Sequence, residues 1–425
     1  MASDAVVPVS GGLTDWISVG LLASSVPRDV IDEAVTGHDR QARRSDGKLP
    51  PHVMVYFVMA MALFADEDYE EVLTRLVEPL TRWGCWDPGW SMPGSSGITQ
   101  ARQRLGFAAV QEVFTQVAVP VCELLTRGGW LAGRRLVSID GFEWDVPDTE
   151  GNAAEFGRPG GVDRSAAFPK ARVLTLVESG SHATIGATIG AWTGVGSGEQ
   201  SMAEQLYPLL QAGMLVMADR NFFSYTGWDT AAGTGADLLW RVSSSVQLPT
   251  VQVLADGSHL SLVFASRTTR AWRQRLLTAA LDGEDLDPRR ARLVRVVEYQ
   301  VPDRGDEDEG EGEGEREVIC LITTILDPGD AAAELLAQGY HDRWEHESTN
   351  AQLKTFLRGP GRILRSKSPD MVRQEIYGYL LTHYAISALI CRAATEADID
   401  PDRIRFLRTV RIVRRRITDP AAFSP

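Results

Sequence analysis

"YHDRWEHESTNAQLK" occupies residues 340–354 and concentrates two aromatic residues, two histidines, three acids and two bases in fifteen positions. Tyr340, Arg343, Glu347 and Lys354 follow one another at intervals of three, four and seven. At roughly 100° per residue of α-helix, these four fall within about 60° of one another. One stripe then carries a phenol, a guanidinium, a carboxylate and an ammonium group. Two readings are open at this point. Surface helices pair opposite charges at such spacing, and an active site can present the same groups in a row. Zinc binding of the H-E-x-x-H type is excluded: His341 and His346 are five apart and lie on different faces.

A carboxylate that acts on substrate from this stripe needs partners, and two acids follow short apolar runs upstream. Asp140 comes after "LVSI" and Asp219 after "LVMA". An apolar strand that ends in a carboxylate is where an α/β sheet presents a ligand group; a strand-end Asp also simply caps turns. Two such acids and a helical glutamate together supply three carboxylates from three elements. Such a set can hold two hard divalent cations, the arrangement used for phosphoryl transfer. Arg343 would then meet phosphate as a bidentate fork and Lys354 as a point charge.

The rest of the chain is consistent with a large soluble protein. Its 425 residues are 44% hydrophobic, enough for two or three domains and a sizeable core. "VMVYFVMAMALFA" (Val53–Ala65) is too short to span a bilayer and reads as a buried helix. The N-terminus lacks a signal-peptide pattern. Cys85, Cys122, Cys320 and Cys391 are widely spaced and read as buried thiols. A cytoplasmic location is the expectation, with no membrane partner.

The net charge of −14 argues against nucleic acid until its distribution is considered. Asp303–Glu317 ("DRGDEDEGEGEGERE") holds nine acids and two arginines, and reads as a solvated loop. Asp402–Arg416 ("DRIRFLRTVRIVRRR") holds seven arginines and one acid. That stretch is a candidate phosphate-binding tail; a solvated helix end or a docking tail are the alternatives. Arg102 and Arg104, at a helix start in "TQARQRLG", are further candidates for phosphate contact or for ordinary surface solvation.

Periodicity divides the chain into segments. Residues 1–130 read as helical. "RRLVSIDGFEWDVPD", "ARVLTLVES", "ATIGATIGAW", "GMLVMA" and "DLLWRVS" read as strands, with a helix over "GEQSMAEQLYPLL". Residues 246–324 remain strand-rich but interrupted. Helices return from Ala331 onward.

At this point the chain resembles the DDE transposases of the insertion-element-four family of bacterial insertion sequences. Their Tyr-x2-Arg-x3-Glu-x6-Lys signature is complete as Tyr340, Arg343, Glu347 and Lys354. Asp140–Gly141 and "ADRNF" (Ala218–Phe222) match the first and second acid motifs, and "GRILRSKSPDMVRQEIYGYLL" matches the segment after the signature. The resemblance covers nearly the whole chain. It implies an α/β fold: a ribonuclease H-like catalytic core (131–245 and 325–392) with a β-rich insertion (246–324). A helical N-terminal domain (1–130) and a basic C-terminal tail (393–425) complete it. The interval 347 − 219 = 128 residues leaves room for the insertion. The resemblance further implies catalytic, metal-holding carboxylates at Asp140, Asp219 and Glu347, with Mg²⁺ as cofactor and Mn²⁺ as a substitute. The expected partners are double-stranded DNA, as terminal inverted repeats and target, and a second copy in a synaptic dimer. Nucleoid association would follow from DNA binding. Tyr340 and Arg343 would hold backbone phosphate, and Trp344 would stack on a base or pack in the core. The competing functions are a regulatory DNA-binding relative without catalysis and a metal-dependent nuclease on the same fold.

Overall fold

The computed structural model describes residues 21–42, 48–82, 91–160, 166–301, 317–341, 349–359 and 361–416. Its centre is one mixed ten-stranded sheet whose strands run in the spatial order Ala183–Ala191, Lys170–Glu178, Arg134–Asp145, Met214–Ala218, Asp237–Arg241, Glu317–Thr323, Ala291–Val301, His259–Phe264 and Thr250–Val253, with β1 (Trp130–Leu131) paired to the start of Arg134–Asp145. Five strands form the inner part: β2 (Arg134–Asp145), β3 (Lys170–Glu178), β4 (Ala183–Ala191), β5 (Met214–Ala218) and β6 (Asp237–Arg241). β2, β3 and β4 are antiparallel neighbours, while β2–β5 and β5–β6 are parallel. Three antiparallel strands followed by two parallel ones make the ribonuclease H-like arrangement. Every residue of β5 is buried. A strand covered on both faces has no polar face to alternate with, so "MLVMA" is continuously apolar.

The remaining strands extend the same sheet. β10 (Glu317–Thr323) pairs antiparallel with the edge of β6. β9 (Ala291–Val301), β8 (His259–Phe264) and β7 (Thr250–Val253) then follow outward in antiparallel steps. This region also contains a twelve-residue helix, Arg270–Leu281, which the strand-rich reading of residues 246–324 did not anticipate. Leu276 is its only fully buried residue, with Leu277 and Ala280 partly buried beside it, so its apolar stripe is narrow. The acidic run at 303–317 lies, apart from its last residue, outside the described residues; Val301 and Glu317, at its two ends, are paired across β9 and β10.

Helices cover the inner sheet. Pro51–Leu63 is buried at every position after the first, which explains its uniformly apolar sequence. It crosses the long helix Pro369–Glu396 at Gly378, where an added Cβ would lie 2.6 Å from the Val58 carbonyl oxygen. The helix Ser95–Val117 carries a break at Gly106 (φ 71°, ψ 171°). Gln374 fills that break by donating to the carbonyls of Arg102 (3.0 Å) and Gly106 (2.9 Å). No helix among the described residues is long and apolar enough to cross a membrane. Cys122, Cys320 and Cys391 are free thiols, two of them buried; Cys85 lies outside the described residues.

Several expectations are corrected by this architecture. β2 continues five residues past Asp140, so that acid lies within a strand instead of at its end. The helix expected over "GEQSMAEQLYPLL" is limited to Glu199–Ala203, followed by a single 3₁₀ turn at Tyr207–Leu209. Arg102 is fully buried and does not face phosphate: its guanidinium donates to Gln374 Oε1 (2.8 Å), Tyr69 Oη (2.5 Å), Ser366 Oγ (3.2 Å) and the Met371 carbonyl (3.2 Å). Arg104 is exposed. The arginine-rich C-terminus is a docked helix, Phe406–Arg416, that buries Phe406, Val410 and Val413. Arg408, Arg411 and Arg415 face outward, whereas Arg414 is partly covered and burial lowers its pKa.

Candidate active site

The parallel ladder between β2 and β5 ends at the pair Ile139↔Ala218. The next residue on each strand is Asp140 and Asp219. Two carboxylates therefore stand side by side where the chains diverge. Both are partly exposed. β2 runs on as a strand paired with β3, while the chain after Asp219 turns into a 3₁₀ turn, Arg220–Phe222. Gly141 has a spatial reason to follow Asp140, because a Cβ there would lie 2.9 Å from Leu174 Cδ1 and 3.5 Å from Glu199 Oε1.

Glu199 is a member of this acid cluster that the sequence reading missed. It opens the short helix Glu199–Ala203. Burial first raises its carboxyl pKa above the ordinary value; the Arg172 guanidinium opposes this, and the negative charges of Asp140, Glu143 and Asp219 raise it again. The adjacent Gln200 holds the loop after Asp219 by donating to the carbonyls of Asn221 (3.0 Å) and Phe223 (3.2 Å). No sequence spacing links residue 199 to 140 or 219, so only the folded sheet reveals the association.

The signature stretch is partly described. Ala333–His341 is α-helical, and 342–348 lie outside the described residues, which removes Arg343, Trp344 and Glu347 from direct view. Tyr340 is 4% exposed, and its hydroxyl donates to the Ala218 carbonyl at 3.4 Å. This contact supports the end of β5 just before Asp219. The chain resumes as helix at Thr349 and becomes a π-helix over Gln352–Leu357. Lys354 is partly exposed on that wider turn. The regular 100° stripe expected through Lys354 is therefore interrupted; π-turns of this kind recur at functional sites.

Three residues after the undescribed stretch tie the helix to three different elements. His182, at the start of β4, shares a hydrogen bond between Nδ1 and the Thr349 hydroxyl (3.2 Å), and its Nε2 donates to the Asp402 carboxylate (2.5 Å). The hydrogen bond from His182 is the main reason the Asp402 carboxyl sits below its ordinary pKa. Asn350 Nδ2 donates to Asp140 Oδ2 at 3.0 Å. His383 Nε2 donates to Gln352 Oε1 at 2.9 Å; burial, aided by nearby His182, pushes its pKa down to about 3, so this imidazole is neutral.

The donor chemistry suits a hard divalent cation. Asp140 and Asp219 follow the last pair of one parallel ladder, and the charges of both, with that of Glu143, help raise the pKa of Glu199. Among the described residues, no three acids, histidines or cysteines form a ready cage. The third carboxylate implied by the signature, Glu347, lies outside that set.

Comparison with known proteins adds an independent line. Residues 16–115 match the insertion element 4 transposase N-terminal family, and residues 131–384 match the transposase DDE domain family. The transposase InsG for insertion sequence element IS4 of Escherichia coli K12 is 27% identical over 388 residues, covering 89% of this chain and 78% of that protein. A piggyBac transposase in a synaptic complex with hairpin DNA aligns over 94% of this chain and 79% of its own, with 10% identity and a TM-score of 0.48.

Proposed function

The chain belongs to the DDE transposases of the insertion-element-four family, and on that premise we propose that it cuts DNA at inverted-repeat ends and joins the freed 3′-hydroxyl to target DNA. Asp140, Asp219 and Glu347 are the carboxylates that hold Mg²⁺, with Mn²⁺ as a substitute. The observation that carries this reading is the side-by-side placement of Asp140 and Asp219 where the parallel ladder ends. Divalent ions held there supply charge stabilisation for in-line phosphoryl transfer.

The chain's own residues do the remaining work. β2 and β5 fix the two aspartates on adjacent strands, so their separation is set by main-chain hydrogen bonds. Tyr340 and Gln200 brace the backbone before and after Asp219. Arg343 and Lys354 hold the phosphates that flank the scissile bond, and Trp344 stacks on a base displaced from the duplex. The outward arginines of the C-terminal helix bind further phosphates along the duplex, and two copies act across paired ends.

The test uses purified protein, Mg²⁺ and a plasmid that carries the inverted repeats flanking its coding region. The expected products are nicks at the repeat ends followed by end joining to a second DNA. Nicking without joining would instead fit a nuclease, and binding without nicking a regulatory relative. In the same system, Arg408, Arg411 and Arg415 changed together to alanine should flatten the salt dependence of DNA binding, by up to about 0.9 in log–log slope for each phosphate that is no longer neutralised. A slope equal to the parent's assigns that helix to a role without DNA.

A further inference from the structure

We infer that Asn350 is a positioning residue for the proposed reaction: its side-chain amide holds the Asp140 carboxylate in one orientation and ties it to the helix that follows Glu347. This rests on the reading of Asp140 as a metal-holding carboxylate.

The geometry is specific. Asn350 Nδ2 lies 3.0 Å from Asp140 Oδ2, and Asn350 is 9% exposed. Its own carbonyl oxygen is buried without a hydrogen-bond partner among the described residues. A buried acceptor left unpaired costs about 1–3 kcal/mol.

The chemistry of that donor fits the task. A carboxylate that is to share a cation must be held in a fixed plane, and an N–H on one oxygen achieves that. A lysine or arginine would do so too, but its positive charge would compete with the cation. A serine hydroxyl is too short to span the same gap between helix and strand. A neutral amide fixes the carboxylate and leaves its negative charge intact.

The donor itself is well anchored. Thr349 is held by His182, which is held in turn by Asp402, and Gln352 is held by His383. His182, just before β4, and His383, on the long helix Pro369–Glu396, thus anchor the two residues that flank Asn350 and Ala351. Asn350 therefore presents its amide from a fixed backbone.

Two variants test the idea. Asn350→Leu removes the donor and keeps a side chain of the same heavy-atom count; Asn350→Ala removes the donor together with most of the side chain. The readout is Mn²⁺ binding to the complex of protein and repeat-end DNA, followed by electron paramagnetic resonance, with melting temperature and metal-free end binding measured in parallel. Outer partners of metal ligands typically contribute 10–100-fold to metal affinity. Both variants should therefore bind Mn²⁺ about 10–100-fold more weakly, while Asn350→Leu binds end DNA as the parent does. Parental Mn²⁺ affinity in Asn350→Leu overturns the inference. Parental or tighter binding in Asn350→Ala overturns it as well, because the donor is then dispensable; that measurement decides the matter if Asn350→Leu fails to fold. A parent complex that binds no Mn²⁺ overturns the metal-holding reading of Asp140, and this inference with it.

Discussion

Asp140→Ala and Asp219→Ala should each abolish strand cleavage, with a loss greater than about 100-fold, while repeat-end DNA remains bound. The size follows from position. Residues that merely support a metal ligand contribute about 10–100-fold, so removing a ligand must exceed that range. Binding survives because affinity for duplex DNA comes mainly from cations on phosphate, and neither aspartate supplies one. Folding should survive as well. Both acids are partly exposed beside other carboxylates, so each substitution relieves repulsion; Asp140→Ala also leaves the Asn350 amide without its acceptor and should melt somewhat lower than Asp219→Ala. Cleavage of an end-bearing plasmid, end binding by gel shift and thermal melting check the three parts. Cleavage reduced only in proportion to binding would remove these aspartates from the chemistry.

Arg102→Ala should unfold the junction between the N-terminal helices and the catalytic core, at a cost of about 3–5 kcal/mol. The guanidinium is wholly buried and donates to four acceptors on three segments: Tyr69, Ser366, and Met371 with Gln374. It also lies within electrostatic reach of buried Glu375, as does Arg358. Alanine removes one of these charges and leaves several acceptors unpaired. Lysine should not rescue it, since one ammonium cannot reproduce a planar fork with five donors. The check is thermal melting together with limited proteolysis between residues 117 and 131. A melting temperature equal to the parent's, combined with weakened DNA binding, would return Arg102 to the DNA surface.

Arg102 also marks where sequence reasoning runs short. A basic residue near a helix start resembles a surface residue, and only the partners 264–272 positions away reveal it as buried. The strands were legible because burial on one or both faces leaves a pattern: "LVMA" is apolar because β5 is covered on both sides. Asp140 and Asp219 were legible as polar interruptions of such runs. The Arg270–Leu281 helix was not, because only Leu276, Leu277 and Ala280 pack inward and the rest of its surface is largely exposed. The C-terminal helix was half legible: Phe406, Val410 and Val413 are spaced by four and three, but seven arginines drew attention to charge instead of packing. Glu199 and Asn350 left no trace at all. Each joins the acid cluster through space, from an element with its own local reasons to exist.

The pairing of Val301 with Glu317 has a practical side. Cross-strand partners lie about 5 Å apart, so the connection between them begins and ends at nearly the same point. Lengthening such a connection changes its closure entropy only slowly, roughly 0.6 kcal/mol per doubling. The acidic run is thus a natural port for grafted cargo. A fluorescent reporter or a sequence-reading module with adjacent termini can be spliced between these strands, leaving the ten-stranded sheet in register and both chain ends untouched.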